Sequence, residues 1–594
     1  MPISAPLLLL TLPAALTTSP TAAPATCSAV VCEQQDDKAL KALVQWLKLY
    51  RNGKIKIMNR EFLGKRSLVV KFDLATPGEA ADMTRKDELT FLLEKAAAQN
   101  DTDAAKVMLP FAAIGLDQGR IEYTFEMAPF TVRKIAEKEL KKLSSEEARD
   151  YLTKVARGDI KTDKAFGSGM RAAALRYQGM NPDPNSAKLL AEQLEDEDLP
   201  VRLAAIEALG TLAKPSSVGV LSSALKNEED EAALIGIVQA LRKCFTIKGD
   251  GSTDLTAKAS AKTELPAAAG IAVRAAINTL GQASWRCDME LVQFLGNFQS
   301  AEVIPALIAI LQQYHDHPEQ IASGKLSGLL LQRAHETLVG MTGAVFPANR
   351  PDLWQKQWLA DREKMLVAQN SKPVALPEGE GTISTKKFCG IPVVGTRILF
   401  VVDLSGSMGL PMQVRVRKAD GIATEEKTRL FYAKQQLKEA LDSLPENSQF
   451  NLITYNGNPK AKHWNKQLVK ATKKSKDRAK KFIDGMRADG GTNMWSGMGL
   501  GLKMKSLVYG ARYDSAVDEM FVLSDGAPNL GDVIDPVEIL ELTTETNRFN
   551  NVRINTVYIS SPHEQNPDSA TLSPIDLMRR MAEKNGGRFV EVEG

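Results

Sequence analysis

The hydrophobic period changes partway along this chain, and that change rules out any single architecture. Before residue 368, apolar residues recur at spacings of three and four, as in "LTFLLEKAAAQ" and "VRKIAEKELKKL", the pattern of amphipathic helices. Beyond 388, the short apolar runs "ILFVV", "FNLITY", "EMFVLS" and "RINTVYI" alternate with helical segments such as "TRLFYAKQQLKEALDSL" and "DLMRRMAEKNG". Runs of this kind suit strands buried on both faces, and their alternation with helices implies a doubly wound parallel sheet. The expectation is a multidomain chain, all-α over 37–368 and α/β over 388–594, with a Pro- and Gly-containing linker at 371–387. Its 594 residues also exceed what one hydrophobic core can serve.

Within the helical part, 37–177 carries no recognisable motif, whereas 185–368 repeats itself. "AAIEALG" (204–210) returns as "AAINTLG" (275–281), with "GIVQALR" (236–242) between them. That spacing gives units of roughly 35 residues, each a pair of amphipathic helices. The segments that follow, "KPSSVGVLSSALKN" and "SAEVIPALIAILQQ", parallel each other as well. This stretch resembles HEAT repeats, a helical solenoid whose small alanines permit close helix contact. Trp354 and Trp358, in "DLWQKQWLADRE", are expected in a packed capping helix.

Charge excludes more than it assigns. Lys and Arg number 75 against 72 Asp and Glu, a net charge of +3. The lysines of "KQLVKATKKSKDRAKKF" lack interleaved aromatics and read as the wet face of a helix, so nucleic acid is not expected as a partner. Five cysteines, at 27, 32, 244, 287 and 389, are too few for a disulfide scaffold. Cys27 and Cys32 could bridge in an oxidising compartment, while Cys244 and Cys287 fit as small buried side chains. At the start, "PLLLLTLPAAL" followed by "TTSPTAAPATC" has the form of a signal peptide over 1–25, although no Lys or Arg precedes Lys38. Export to the periplasm, cell envelope or medium is expected, without a lipid anchor. No later run approaches about 20 apolar residues, so no transmembrane helix is expected after the signal.

The chemistry concentrates in "RILFVVDLSGSMGL". An apolar run ends in Asp403, and Ser405 and Ser407 follow at alternate positions. Two other loops lie after comparable elements: "ADGGTNMW" carries Thr492, and "VLSDGAPN" places Asp525 directly after a strand. In parallel sheets ligands sit at the carboxyl ends of the strands, so the three loops should meet. Two carboxylates and three hydroxyls, with no His or Cys, suit a hard cation such as Mg²⁺, which takes about six oxygens near 2.0–2.1 Å. Hydroxyls also leave such an ion electrophilic enough to accept an oxygen from outside.

This D-x-S-x-S, threonine and aspartate pattern resembles the metal-ion-dependent adhesion site of von Willebrand factor A (VWA) domains, over roughly 388–594. With the HEAT-like section, the whole resembles bacterial exported proteins that join helical repeats to such a domain. The resemblance implies that Ser405, Ser407 and Thr492 contact the ion directly or through water and that Asp403 and Asp525 supply charge. It also implies a protein partner whose carboxylate fills the open coordination position. Mn²⁺ and Ca²⁺ stand beside Mg²⁺ as candidate ions, and the oligomeric state is open. One departure is the insertion "MGLPMQVRVRKADGIATEEK", which either rims the metal site or forms a solvated hairpin. No phosphate-binding loop, nucleophile elbow or H-E-x-x-H occurs, and "HDH" (315–317) has no further ligands nearby. The expectation is a binding and adhesion module and no enzyme. The alternatives are an envelope scaffold that binds through its repeats with a merely structural ion, or a metal-dependent hydrolase.

Overall fold

The computed structural model describes residues 26–51, 61–62, 65–66, 85–116, 129–245, 265–322, 326–367, 386–418, 421–502, 517–531, 533–560 and 572–593. The signal peptide expected at 1–25, most of the linker (371–385) and the side chains of Cys27 and Cys32 lie outside these residues. Among the described residues no helix is long and apolar enough to cross a membrane.

Among the described residues the N-terminal part is helical apart from two paired strands of two residues each, Glu61–Phe62 and Lys65–Arg66, and one apolar core runs through it from Ala39 to Leu366. Past Gly169 its helices form two rows. The inner row stacks Gly169–Met180, Leu199–Leu212, Glu231–Cys244, Trp285–Leu295 and Gly328–Thr342 in succession. The outer row stacks Pro215–Asn227, Ala267–Thr279, Val303–Asp316 and Pro351–Ala360. Close stacking in the inner row depends on missing side chains. A Cβ on Gly179 would lie 2.7 Å from the Ala208 Cα, and one on Gly210 would lie 2.8 Å from the Ala240 Cα. Trp354 is fully buried against His335 and Phe346, as expected of a packed end helix. Cys244 and Cys287 are buried and free, and burial raises both thiol pKa values.

One expectation needs correction. "AAIEALG" lies in the inner row and "AAINTLG" in the outer, so the two do not occupy equivalent positions. Both helices need small residues at close contacts, which suffices to make their sequences alike. "KPSSVGVLSSALKN" and "SAEVIPALIAILQQ" do fall in equivalent outer helices.

The C-terminal part is built on a mostly parallel sheet. Its strands are β1 (Arg397–Asp403), β2 (Gln449–Tyr455), β3 (Val469–Lys470), β4 (Glu519–Ser524), β5 (Arg553–Ser560) and β6 (Phe589–Glu593). They lie in the order β3-β2-β1-β4-β5-β6, and among the described residues only the β3 edge and a short Lys462–His463 strand are antiparallel. Successive side chains of β1 enter opposite cores. Ile398, Phe400 and Val402 pack beneath the helices Arg429–Ser443 and Lys473–Gly485, while Leu399 and Val401 face Met494–Gly501, Pro536–Asn547 and Pro574–Lys584. Double-sided burial explains why these strands read as unbroken apolar runs. The insertion is a hairpin of Pro411–Lys418 and Gly421–Thr428. Met412 and Val414 are buried in the C-terminal core, so it is not simply solvated.

The two parts pack together. The inner row meets the amino ends of the sheet strands and the turn before β5: Arg548 contacts Glu207 at 3.3 Å, Arg286 donates to the Val517 carbonyl at 3.3 Å, and Arg588 meets Glu336 at 3.3 Å. Each part also sends an aromatic into the other's core. Phe549 is buried in the helical core, and Phe130 in the core beneath Pro536–Asn547. The carboxyl ends of the strands lie about 20 Å away along β1, at roughly 3.3 Å per residue.

Candidate metal centre

The chain leaves β1 toward β2 on one side and later enters β4 on the other, so β1 and β4 flank the sheet's topological switch point. Asp403 is the last residue of β1, and Asp525 immediately follows β4. A continuous run of hydrogen bonds links four of the expected residues. The Ser405 N–H donates to Asp403 Oδ1 at 2.7 Å, and the Ser405 and Ser407 hydroxyls share a bond of 3.0 Å. The Ser407 hydroxyl then donates to Asp525 Oδ1 at 2.8 Å.

Thr492 sits on the adjoining loop. The Asp489 N–H donates to the Leu404 carbonyl at 2.8 Å, and the Gly406 N–H donates to the Gly490 carbonyl at 2.8 Å. The Thr492 N–H is in turn held by Asn529 Oδ1 at 2.8 Å. The two glycines of "ADGGTNMW" are required here. Gly490 has φ +73, and a Cβ on Gly491 would sit 2.5 Å from Leu530 Cδ1. Thr492 is buried, yet its hydroxyl makes no hydrogen bond with the other four residues.

Two participants were not expected from the sequence. The Ser524 hydroxyl donates to Asp403 Oδ2 at 2.7 Å, and Arg429 Nη1 donates to Asp525 Oδ2 at 2.6 Å. The only sequence hints are a serine directly before "DG" and an arginine at the helix start after the insertion.

Electrostatically the site is short of positive charge. Asp403 and Asp525 are 0% and 2% exposed. Burial pushes the Asp403 carboxyl up to about 6, the Asp525 charge adds to the shift, and the Ser524 and Ser405 hydrogen bonds oppose it. Arg429 brings one positive charge to two carboxylates, so the ionised cluster keeps a net negative charge in a poorly hydrated place. A divalent cation would answer that excess, and the Thr492 hydroxyl, which bonds none of the other four residues, would be a further oxygen beside it. Among the described residues no three His, Cys, Asp or Glu side chains cluster to hold a metal, so any such ion here depends on hydroxyls.

Residues 398–592 match the von Willebrand factor type A domain family, and residues 168–242 match HEAT repeats. Inter alpha-trypsin inhibitor, heavy chain 4, of Mus musculus is 28% identical over 144 residues, 24% of this chain and 13% of that protein. Inter-alpha-trypsin inhibitor heavy chain H3 of Homo sapiens is 28% identical over 148 residues, 24% of this chain and 14% of that protein. The match thus spans about a seventh or less of these relatives. Among solved structures, a von Willebrand factor type A protein from Catenulispora acidiphila aligns at 16% identity and TM-score 0.24, over 34% of this chain and 40% of that one. The PilB minor pilin from Streptococcus sanguinis aligns at 15% identity and TM-score 0.23, over 34% and 59%. The chain therefore carries HEAT repeats followed by a von Willebrand factor type A domain.

Proposed function

We propose that the C-terminal domain is a cation-dependent protein-binding module of an exported protein, and that Asp403, Ser405, Ser407, Thr492 and Asp525 hold a Mg²⁺-type ion. The observation that carries this reading is the hydrogen-bonded run from Asp403 through Ser405 and Ser407 to Asp525, which presents hard oxygens at the switch point of the sheet. When bound, the ion offers an open coordination position to a carboxylate of a partner protein. The chain's own part is to hold the donors in place: Ser524 fixes Asp403 and Asn529 fixes the Thr492 loop, while Arg429 balances the charge of Asp525. The matches to VWA domains support an interaction role, and nothing in the site calls for catalysis. A scaffold that binds through its repeats is less favoured, because the inner row is already covered by the C-terminal domain.

Titration calorimetry with Mg²⁺, followed by capture of envelope proteins in Mg²⁺ and in EDTA, tests the reading. Asp403→Ala is expected to abolish both ion binding and Mg²⁺-dependent capture with the fold retained. Ser405→Ala, which loses a neutral donor, is expected to weaken the ion by about tenfold, or roughly 1.4 kcal/mol. Capture that survives EDTA and Asp403→Ala alike would move the binding function away from this site.

A further inference from the structure

The charge of this chain is unevenly placed. Residues 459–487 hold eleven Lys and Arg against two Asp, a net charge of +9, while the whole chain carries +3, so the remainder stands at −6. The stretch runs from the rim of the proposed metal centre along the outer edge of the sheet and into the helix Lys473–Gly485. Its start is tied to the Thr492 loop: the Asn493 N–H donates to the Asn456 carbonyl at 3.1 Å, and the Asn493 side chain donates to the Asn458 carbonyl at 3.1 Å, two residues before Lys460. Strand register then spaces the lysines. Lys462 pairs with Thr454 at the carboxyl end of β2 and Lys470 with Gln449 at its amino end, about 17 Å apart at roughly 3.3 Å per residue. Lys466 lies between them on a loop that Asn451 holds against the edge, its side chain donating to the Asn465 carbonyl at 2.7 Å and the Gln467 carbonyl at 3.3 Å.

The helix adds to the same strip. Ala479 and Ile483 turn inward, which leaves Lys474, Arg478 and Lys481 together on its outer face. Arg478 lies over the Trp464 ring at 5.5 Å and so joins that face to the edge lysines. Lys460, Lys462, Lys466, Lys470, Lys474 and Lys481 are exposed and form no ion pair among the described residues. Lysines also guard a sheet edge against pairing with another sheet, but that role does not call for nine charges of one sign in an otherwise acidic chain. The surroundings choose among anions. Trp464 stacks on Phe450 and is covered by Arg478, so it offers no face to a nucleic-acid base. Among the described residues, none of the exposed large apolar side chains falls within 459–487, so the strip has nothing to insert into a bilayer. What remains is an acidic polypeptide, and the strip starts where a partner's carboxylate would meet the ion.

We propose, resting on the metal-centre reading above, that this basic strip binds an acidic segment of the same partner protein, laid along the edge of β2 from the ion outward. The test is fluorescence anisotropy of the full chain with a labelled oligoglutamate of about 12 residues, long enough to follow that edge, in EDTA and in Mg²⁺ and at about 50 and 200 mM NaCl. Lys462→Gln, Lys466→Gln, Lys470→Gln and Lys474→Gln combined should weaken binding about tenfold in EDTA and in Mg²⁺ alike, and flatten its salt dependence. All four side chains are exposed, so the variant stays folded. Removing as many charges from exposed positions of the helical part, by Lys134→Gln, Lys138→Gln, Lys141→Gln and Lys188→Gln, should change the affinity by less than about twofold. Asp403→Ala should remove only the gain that Mg²⁺ brings, so failure of the metal reading shows as a missing gain and failure of the strip as a missing loss. No oligoglutamate binding in EDTA, an equal loss in the control variant, or retention on phosphatidylglycerol vesicles without oligoglutamate binding would overturn the proposal.

Discussion

At the scale of single residues, the most informative side chain in the proposed metal centre is the unexpected Arg429. Its guanidinium pairs with Asp525 Oδ2, so a cation held by that carboxylate would compete with it. Arg429→Met is therefore expected to destabilise the ion-free protein by roughly 3–5 kcal/mol, the cost of breaking a buried pair. The same variant should bind Mg²⁺ more tightly, so that added Mg²⁺ restores more of its thermal stability than it adds to the wild type. If Mg²⁺ affinity falls instead, Arg429 positions Asp525 and does not compete. The meeting of Asp403, Ser405, Ser407 and Asp525 was legible because their spacing is local or lies at strand ends. Arg429 and Ser524 were not, since each acquires its role through a partner about a hundred positions away, and an isolated arginine or serine carries no such signal.

At the scale of elements, the strands were legible because double-sided burial writes continuous apolar runs into β1, β2, β4 and β5. The phase of the helical repeat was less so. "AAIEALG" and "AAINTLG" look alike because inner and outer helices alike need small residues where they touch, and composition does not say which row a helix joins. The loop bearing Thr492 gives an element-level prediction. Because Gly491 has no room for a side chain beside Leu530 and Asn529, Gly491→Ala should shift the loop and weaken Mg²⁺ binding about tenfold, roughly 1.4 kcal/mol, with the melting transition of the helical part unchanged. Calorimetry beside circular dichroism separates those two effects. Unaltered affinity would show that the loop's placement does not govern the ion.

At the scale of the whole molecule, the docking of the repeats onto the amino ends of the strands was not legible. Its contacts use Glu207, Gln239, Arg548 and Arg588, which in sequence resemble any solvated surface. The apolar element of that docking is reciprocal, and Phe549→Ala should cost roughly 3–5 kcal/mol, as expected for emptying a buried aromatic site. Limited proteolysis is expected to release the C-terminal domain from that variant and not from the wild type. A single, equally resistant species would mean that the polar contacts suffice.

Phe549 reaches its seat near Gly236 across more than three hundred positions of chain. During synthesis the helical part emerges first, with that seat unfilled until Phe549 itself is made, because contacts so distant in sequence form late. The repeats thus remain open and less stable until then, and they close around the C-terminal domain only once that domain has been made.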